Sequence, residues 1–229
     1  MASSSRNKAG FQLLYRKIYA ELGFELEKNH GVPEAAIKKA EKKAEITIPP
    51  SLRDYYLVAG KEKTLNTIFN VLLPPENWEV HRGKLVFMQE NQCVVVWGVS
   101  LKDKHAKDPD VFQTAPVDDE LTAWRDEKST CSQFLVFMLH LQAAYGGGMR
   151  HCASAAVPRK TVSLLDKDWS FGGEVNGMRT YRKPGQSICF VKWKEFSTGK
   201  PEWRIFAGAQ EEKSLDTIAE ELKIEWEKQ

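Results

Sequence analysis

Carboxylates supply the first candidate chemistry. Asp103, Asp108, Asp110, Asp118, Asp119 and Glu120 crowd one stretch. Two carboxylates from a single loop can hold a hard divalent cation or share a proton in acid–base work. The same stretch contains Asp108-Pro109-Asp110, an ordinary turn sequence. Solvent-facing carboxylates also steer a basic protein partner, and that reading is preferred to a catalytic one. Other catalytic patterns fail on inspection. "YGGGM" follows a helical stretch rather than opening one, so it lacks the amides and dipole that cradle phosphate. Neither G-x-S-x-G nor H-E-x-x-H occurs. His30, His81, His105, His140 and His151 are dispersed and read as structural or exposed residues, not metal ligands. His151-Cys152 lacks the Glu and the C-x-x-C of zinc deaminases. No catalytic set, metal site or cofactor is expected.

Aromatic residues suit both cores and contact hot spots, and the chain has seven tryptophans. Trp97 ends an apolar run and reads as core, whereas Trp78, Trp124 and Trp169 lie near loops or polar neighbours. The residues expected to meet a protein partner are therefore Trp78, Asp108, Asp110, Asp118, Asp119, Trp124 and Trp169.

The elements that must position these residues follow from periodicity. Phe11, Leu14, Tyr15, Ile18 and Leu22 keep helical spacing, and Gly23 closes the stretch. A second helix is predicted from Pro33 through "EAAIKKAEKKA", with its lysines on a solvated face. In "ITIPPSLRDYYLVAG" the prolines force extended backbone at Ile48 and Pro49 and open a helix at Pro50 or Ser51. Gly60 is expected to end that helix in the left-handed region. The stretch reads as architecture without chemistry.

Residues 65–75 read as helix or turn. "KLVFMQ" and "CVVVWGV" flank Glu90-Asn91-Gln92 as a hairpin, the second strand buried on both faces. "DVFQTA" and "LTAWRD" are shorter strand candidates. "STCSQFLVFMLHLQAAYGGG" is a deeply apolar helix, capped by Ser129 or Thr130 and ended by Gly146 to Gly148. Past a loop at about 149–160 come the strands "RTYRK", "SICFVKWK" and "EWRIFAGA", then a helix behind a capping Ser214. The order of elements predicts an α+β fold with helices packed on a mixed, largely antiparallel sheet.

Bulk properties narrow the class further. Lys+Arg 33 against Asp+Glu 31 leaves a net charge of +2, which argues against a dedicated nucleic-acid binder. No apolar run reaches the length of a membrane helix, and "MASSSRNKAG" lacks the apolar segment of a secretory signal. Cys93, Cys131, Cys152 and Cys189 are widely spaced and mostly apolar-flanked, so reduced, largely buried thiols in a cytoplasmic protein are expected.

Three motifs in order carry a resemblance. Ile48-Pro49-Pro50-Ser51-Leu52-Arg53-Asp54-Tyr55-Tyr56 enters a helix, Asp108-Pro109-Asp110-Val111-Phe112 forms a loop, and Ser132-Gln133-Phe134-Leu135 lies in the long helix. With the intervening hairpin, this order resembles the SUKH superfamily over residues 30 to 145. The final "AGAQEEKSLDTIAEELKIEW" is similar to the tail of longer members. Where many members have a glycine-rich turn after the entry helix, this chain has Gly60 followed by "KEKT", and the loop there could face a partner.

The resemblance implies one SUKH-like domain over residues 10–229 behind a disordered stretch 1–9, with the C-terminal strands and helix at 160–229 extending the sheet. It implies a non-catalytic module without cofactor that binds a cognate protein and neither nucleic acid nor membrane directly. Bacterial members are immunity proteins that neutralise toxin domains, often nucleases or deaminases. Fungal relatives are intracellular scaffolds that regulate cell-wall synthesis.

Overall fold

Apolar spacing at the start of the chain folds as expected. In the computed structural model, which describes residues 9–117, 120–121, 123–194 and 201–227, helix α1 spans Ala9–Glu21 and buries Tyr15 and Ile18. The expected disordered start lies outside the described residues except for Ala9, which already belongs to α1. The described residues divide into two compact units, one running up to residue 20 with 25–135 and the other comprising 21–24 with 136 onward.

In the first unit, α2 (Glu34–Ala44) follows Pro33 and buries Ile37 and Ala40, leaving Lys38, Lys39, Lys42 and Lys43 exposed. Helix α3 (Pro50–Ala59) opens at Pro50, where a missing N–H costs nothing. It ends at Gly60, but not in the left-handed region: Gly60 has φ −64° and ψ −12°. The requirement for glycine is steric instead. A Cβ there would sit 2.7 Å from the Tyr56 ring and 2.8 Å from a Val32 methyl. Residues 65–75 hold a turn and a short strand, β1 (Asn70–Leu72).

Strands β2 (Glu79–His81), β3 (Lys84–Glu90), β4 (Val96–Ser100), β5 (Asp110–Thr114) and β8 (Arg125–Thr130) complete a six-stranded sheet with β1. Its order is β1-β3-β4-β5-β8 with β2 also beside β3, while β6 (Pro116–Val117) and β7 (Glu120–Leu121) pair separately. The predicted hairpin is β3–β4, and β4 is buried from Val96 to Val99. Cys93 is exposed at φ 59° because "CV" belongs to the hairpin turn and not to the strand, which corrects its expected burial. Part of "LTAWRD" lies outside the strands, since Ala123 and Trp124 form the approach to β8. Helix α4 (Cys131–Ala144) contributes its first residues here, with Phe134 edge-on to Phe87 at 6.0 Å.

The second unit contains the rest of α4, closed as predicted by Gly146 (φ 99°) and Gly148 (φ 64°). Strands β9 (His151–Val157), β10 (Ser170–Val175), β11 (Met178–Lys183), β12 (Gln186–Lys194) and β13 (Pro201–Ala209) form a sheet of order β10-β11-β12-β13-β9. The C-terminal strands were expected to extend the first sheet. They make a sheet of their own, because β9 returns to pair with β13 along its whole length. The outer edge of β9 receives the Glu227 N–H at the Ser154 carbonyl, so the chain's own tail covers it.

The predicted loop at 149–160 is thus mostly strand, and α5 (Thr161–Asp168) follows it. Helix α6 (Glu212–Leu222) starts two residues before Ser214, whose hydroxyl accepts from Gln186 instead of capping. Leu165, Tyr181, Ile188, Phe190, Ile205 and Ile218 anchor this unit's core. The class is α+β as expected, and every ladder among the described residues is antiparallel rather than mixed. Among them no helix is long and apolar enough to cross a membrane.

Candidate functional site

The extended stretch before α3 lines a cleft of about 560 Å³ in the first unit. It is lined by residues 45–50 with Arg53 and by Ser100, Leu101, Asp103, Lys104 and Ala106. The local cause is the end of α2. Glu45 adopts the left-handed conformation (φ 55°, ψ 38°), and the Ile46 N–H donates to the Glu41 carbonyl at 3.0 Å. The Ile48 N–H donates to the Glu41 carboxylate at 2.8 Å, and Pro49 and Pro50 hold the segment extended into α3. Arg53 spends its guanidinium on Glu34 and Glu41, both on α2. Of the charged lining residues, Glu45, Asp103 and Lys104 are exposed and have no ion-pair partner among the described residues.

Beside this cleft the three motifs quoted for the resemblance meet. The Ser51 N–H donates to the Lys107 carbonyl at 3.0 Å, and the Cys131 N–H to the Pro109 carbonyl at 2.9 Å. Asp108 accepts from the Ser132 N–H at 2.7 Å, the Ser132 hydroxyl at 2.6 Å and the Thr130 hydroxyl at 2.8 Å. The Tyr15 hydroxyl donates to the Ser51 carbonyl at 3.0 Å. Burial, with smaller contributions from Cys131 and Asp108, holds the Tyr15 phenol well above the usual tyrosine range. Burial likewise raises the Cys131 thiol, which keeps it protonated and unreactive.

Asp108 therefore caps α4 in place of reaching for a partner. Its carboxylate satisfies amide and hydroxyl donors at a helix N-terminus, where negative charge is favoured. Asp108→Ala should cost roughly 2–3 kcal/mol, because it strands those donors at a half-buried position. Asp110→Ala, at an exposed position starting β5, should change stability by less than about 0.5 kcal/mol. Urea denaturation followed by circular dichroism checks both, and equal effects would refute the capping role.

Of the other expected contact residues, Trp78 and Trp124 belong to the first unit and Trp169 to the second. Trp78 is 7% exposed, with its indole N–H on the Tyr56 hydroxyl at 3.0 Å. Trp124 is half-buried over Gly98, where an added Cβ would meet its ring at 2.7 Å, and Lys84 lies 5.6 Å from the ring. Trp169, in the second unit, is 6% exposed; its indole donates to Glu221 at 3.2 Å and Lys183 lies 4.6 Å over its ring. Asp118 and Asp119 lie outside the described residues. The tryptophans read as loop-borne because their flanks are polar, yet Trp78 and Trp169 are buried because residues distant in sequence, Tyr56 and Glu221, accept their indole N–H groups. Trp97 is core as expected, and its N–H donates to Glu127 at 2.8 Å.

Sequence reasoning missed the cleft because "ITIPP" has no chemical side-chain signal. What it does have, an extended segment pinned before a helix, is a main-chain signal. Among the described residues, no group of three His, Cys, Asp or Glu side chains could hold a metal ion. Comparison of the chain with protein-family models, with curated proteins and with solved structures finds no match.

Proposed function

We propose that the chain is a non-catalytic protein-binding module of the SUKH type, an immunity protein that occludes a toxin domain of the nuclease or deaminase kind. One observation carries the reading. The three motif stretches on which the resemblance rests, separated by up to about eighty residues, form with their adjoining residues Lys107 and Cys131 one hydrogen-bonded joint through Ser51–Lys107, Cys131–Pro109 and Asp108–Ser132. Short motifs that agree by chance have no reason to interlock, whereas motifs of one fold do. A module of this kind neutralises by covering the toxin's active site, so it needs complementary surface and no reacting groups.

Co-expression with the toxin domains encoded beside its gene tests the proposal. Growth should be restored, and the two chains should co-elute as a stoichiometric complex. Restoration by none of those toxins would overturn the immunity role, and capture of a host protein in their place would favour a regulatory scaffold.

A further inference from the structure

We propose that the cleft at residues 45–50 is a docking slot for an extended segment of a partner protein that carries basic side chains. The inference deepens the reading of the chain as a protein-binding module and rests on it.

The first observation concerns main-chain groups. Ile46 and Ile48 both turn their N–H groups to Glu41, one to its carbonyl and one to its carboxylate. In an extended chain, alternate residues direct their polar groups to opposite sides. Thr47, between them, therefore points its N–H and carbonyl away from α2, and they have no partner among the described residues. An extended segment with one side satisfied and the other open is what strand addition uses, main-chain hydrogen bonds supplying affinity. The slot is also rigid before anything binds. The Schellman-type turn at Glu45 fixes one end and Pro49 and Pro50 fix the other, which lowers the ordering cost of binding.

Charge then selects the occupant. Glu45 and Asp103 both line the cleft, both exposed and both without an ion-pair partner among the described residues. Of the two cations in the lining, Arg53 is neutralised by Glu34 and Glu41, leaving Lys104 against the carboxylates of Glu45 and Asp103. A basic side chain in the segment finds complementary charge here, and an acidic one meets repulsion. Ile46 and Leu101, both half-buried, offer apolar contact to the alternate side chains of the same segment.

Titration of the isotopically labelled full chain with an acetylated and amidated Val-Lys-Val-Lys-Val peptide, followed by amide chemical shifts, reads the slot directly. Saturable shifts should centre on Thr47 and on residues 100–106, and the Val-Glu-Val-Glu-Val counterpart should bind about tenfold more weakly or not at all. Thr47→Pro removes the open N–H and should weaken the lysine peptide by about tenfold. The exposed pair Glu45→Lys and Asp103→Lys leaves the hydrogen bonds to Glu41 in place, gives up the turn bond that Asp103 accepts from the His105 N–H, and should reverse the preference between the peptides. Equal binding of both peptides, or shifts that cluster away from residues 45–50, would overturn the proposal. Because the peptides need no toxin, a silent slot beside successful neutralisation would refute the slot alone, and the reverse pair of results would refute the immunity role alone.

Discussion

Replacing Trp78 by alanine is expected to lower the stability of the protein by roughly 3–5 kcal/mol, the range for removing a large buried aromatic side chain. Its ring packs edge-on against Tyr56 at 5.1 Å, and its N–H donates to the Tyr56 hydroxyl. That hydroxyl in turn donates to the Leu73 carbonyl at 2.5 Å, so Trp78 completes a chain that ties the segment after β1 to α3. Burial raises the Tyr56 phenol well above its ordinary range, which keeps it a donor at any working pH. Alanine would leave a cavity and an unsatisfied lone pair together. Trp78→Phe keeps most of the apolar contact and should cost about 1–2 kcal/mol from the lost N–H donor and poorer fit. Urea unfolding monitored by circular dichroism separates the cases. A contact hot spot at the surface would instead give an unchanged unfolding midpoint with weakened partner binding, and that outcome would refute the structural role.

The second large effect is a loss of stability in mild acid centred on His140. The ring is fully buried in α4, and neither of its nitrogens has a hydrogen-bond partner among the described residues. A Cβ on Gly172 would lie 3.0 Å from the ring, which shows how closely the sheet packs on it. Burial, and secondarily the positive charge of Arg182, lower the His140 pKa from 6.5 to about 3. The folded state therefore keeps the ring neutral while the unfolded chain takes up a proton near its ordinary pKa. With the folded value depressed, the unfolded state binds more protons below about pH 6.5, and stability falls as pH falls through the window from 6.5 toward 3.

Between about pH 8 and pH 5 this one group should remove roughly 2 kcal/mol. The carboxylates of Asp166 and Glu227, lowered by hydrogen bonds from Tyr181 and Arg204 respectively, add their losses only at more acid pH. His140→Leu, of similar volume and without a titrating group, should flatten the profile between pH 6.5 and 5 while leaving the steeper acid limb. Unfolding free energies measured across that range check it, and parallel profiles for the two proteins would refute the assignment.

Both predictions concern residues whose type was plain in the sequence and whose environment was not. Helical spacing placed α1 and α4 correctly because a helix's apolar stripe is written within a few consecutive turns. Two β-branched runs around a polar turn likewise read as β3 and β4. β9 escaped the same reading. "HCASAAV" is mostly small residues with little intrinsic strand preference, and it is a strand because β13, fifty residues away, pairs with it. Ser214 was mistaken for a cap because its neighbours carry the apolar stripe, whereas the helix had already begun at Glu212. Gly60 was tied correctly to the end of α3 for the wrong reason: crowding by Tyr56 and Val32 decides it, not φ.

The candidate site divides in the same way. Sequence alone determined that "ITIPPSLRDYYLVAG" is an extended entry into a helix, since proline restricts its own φ and its predecessor's conformation whatever surrounds them. It also determined the α+β class, through local periodicity that needs no distant partner. Only the tertiary structure decided that Asp108 is a helix cap and that Trp78 and Trp169 are interior. Only there do residues 45–50 and Ser100, Leu101, Asp103, Lys104 and Ala106 come to line one cleft. The physical reason is range. Backbone preference and amphipathic spacing act over a few residues, whereas burial, capping between segments and the shape of a cleft depend on which distant strands pair and which helix ends meet them.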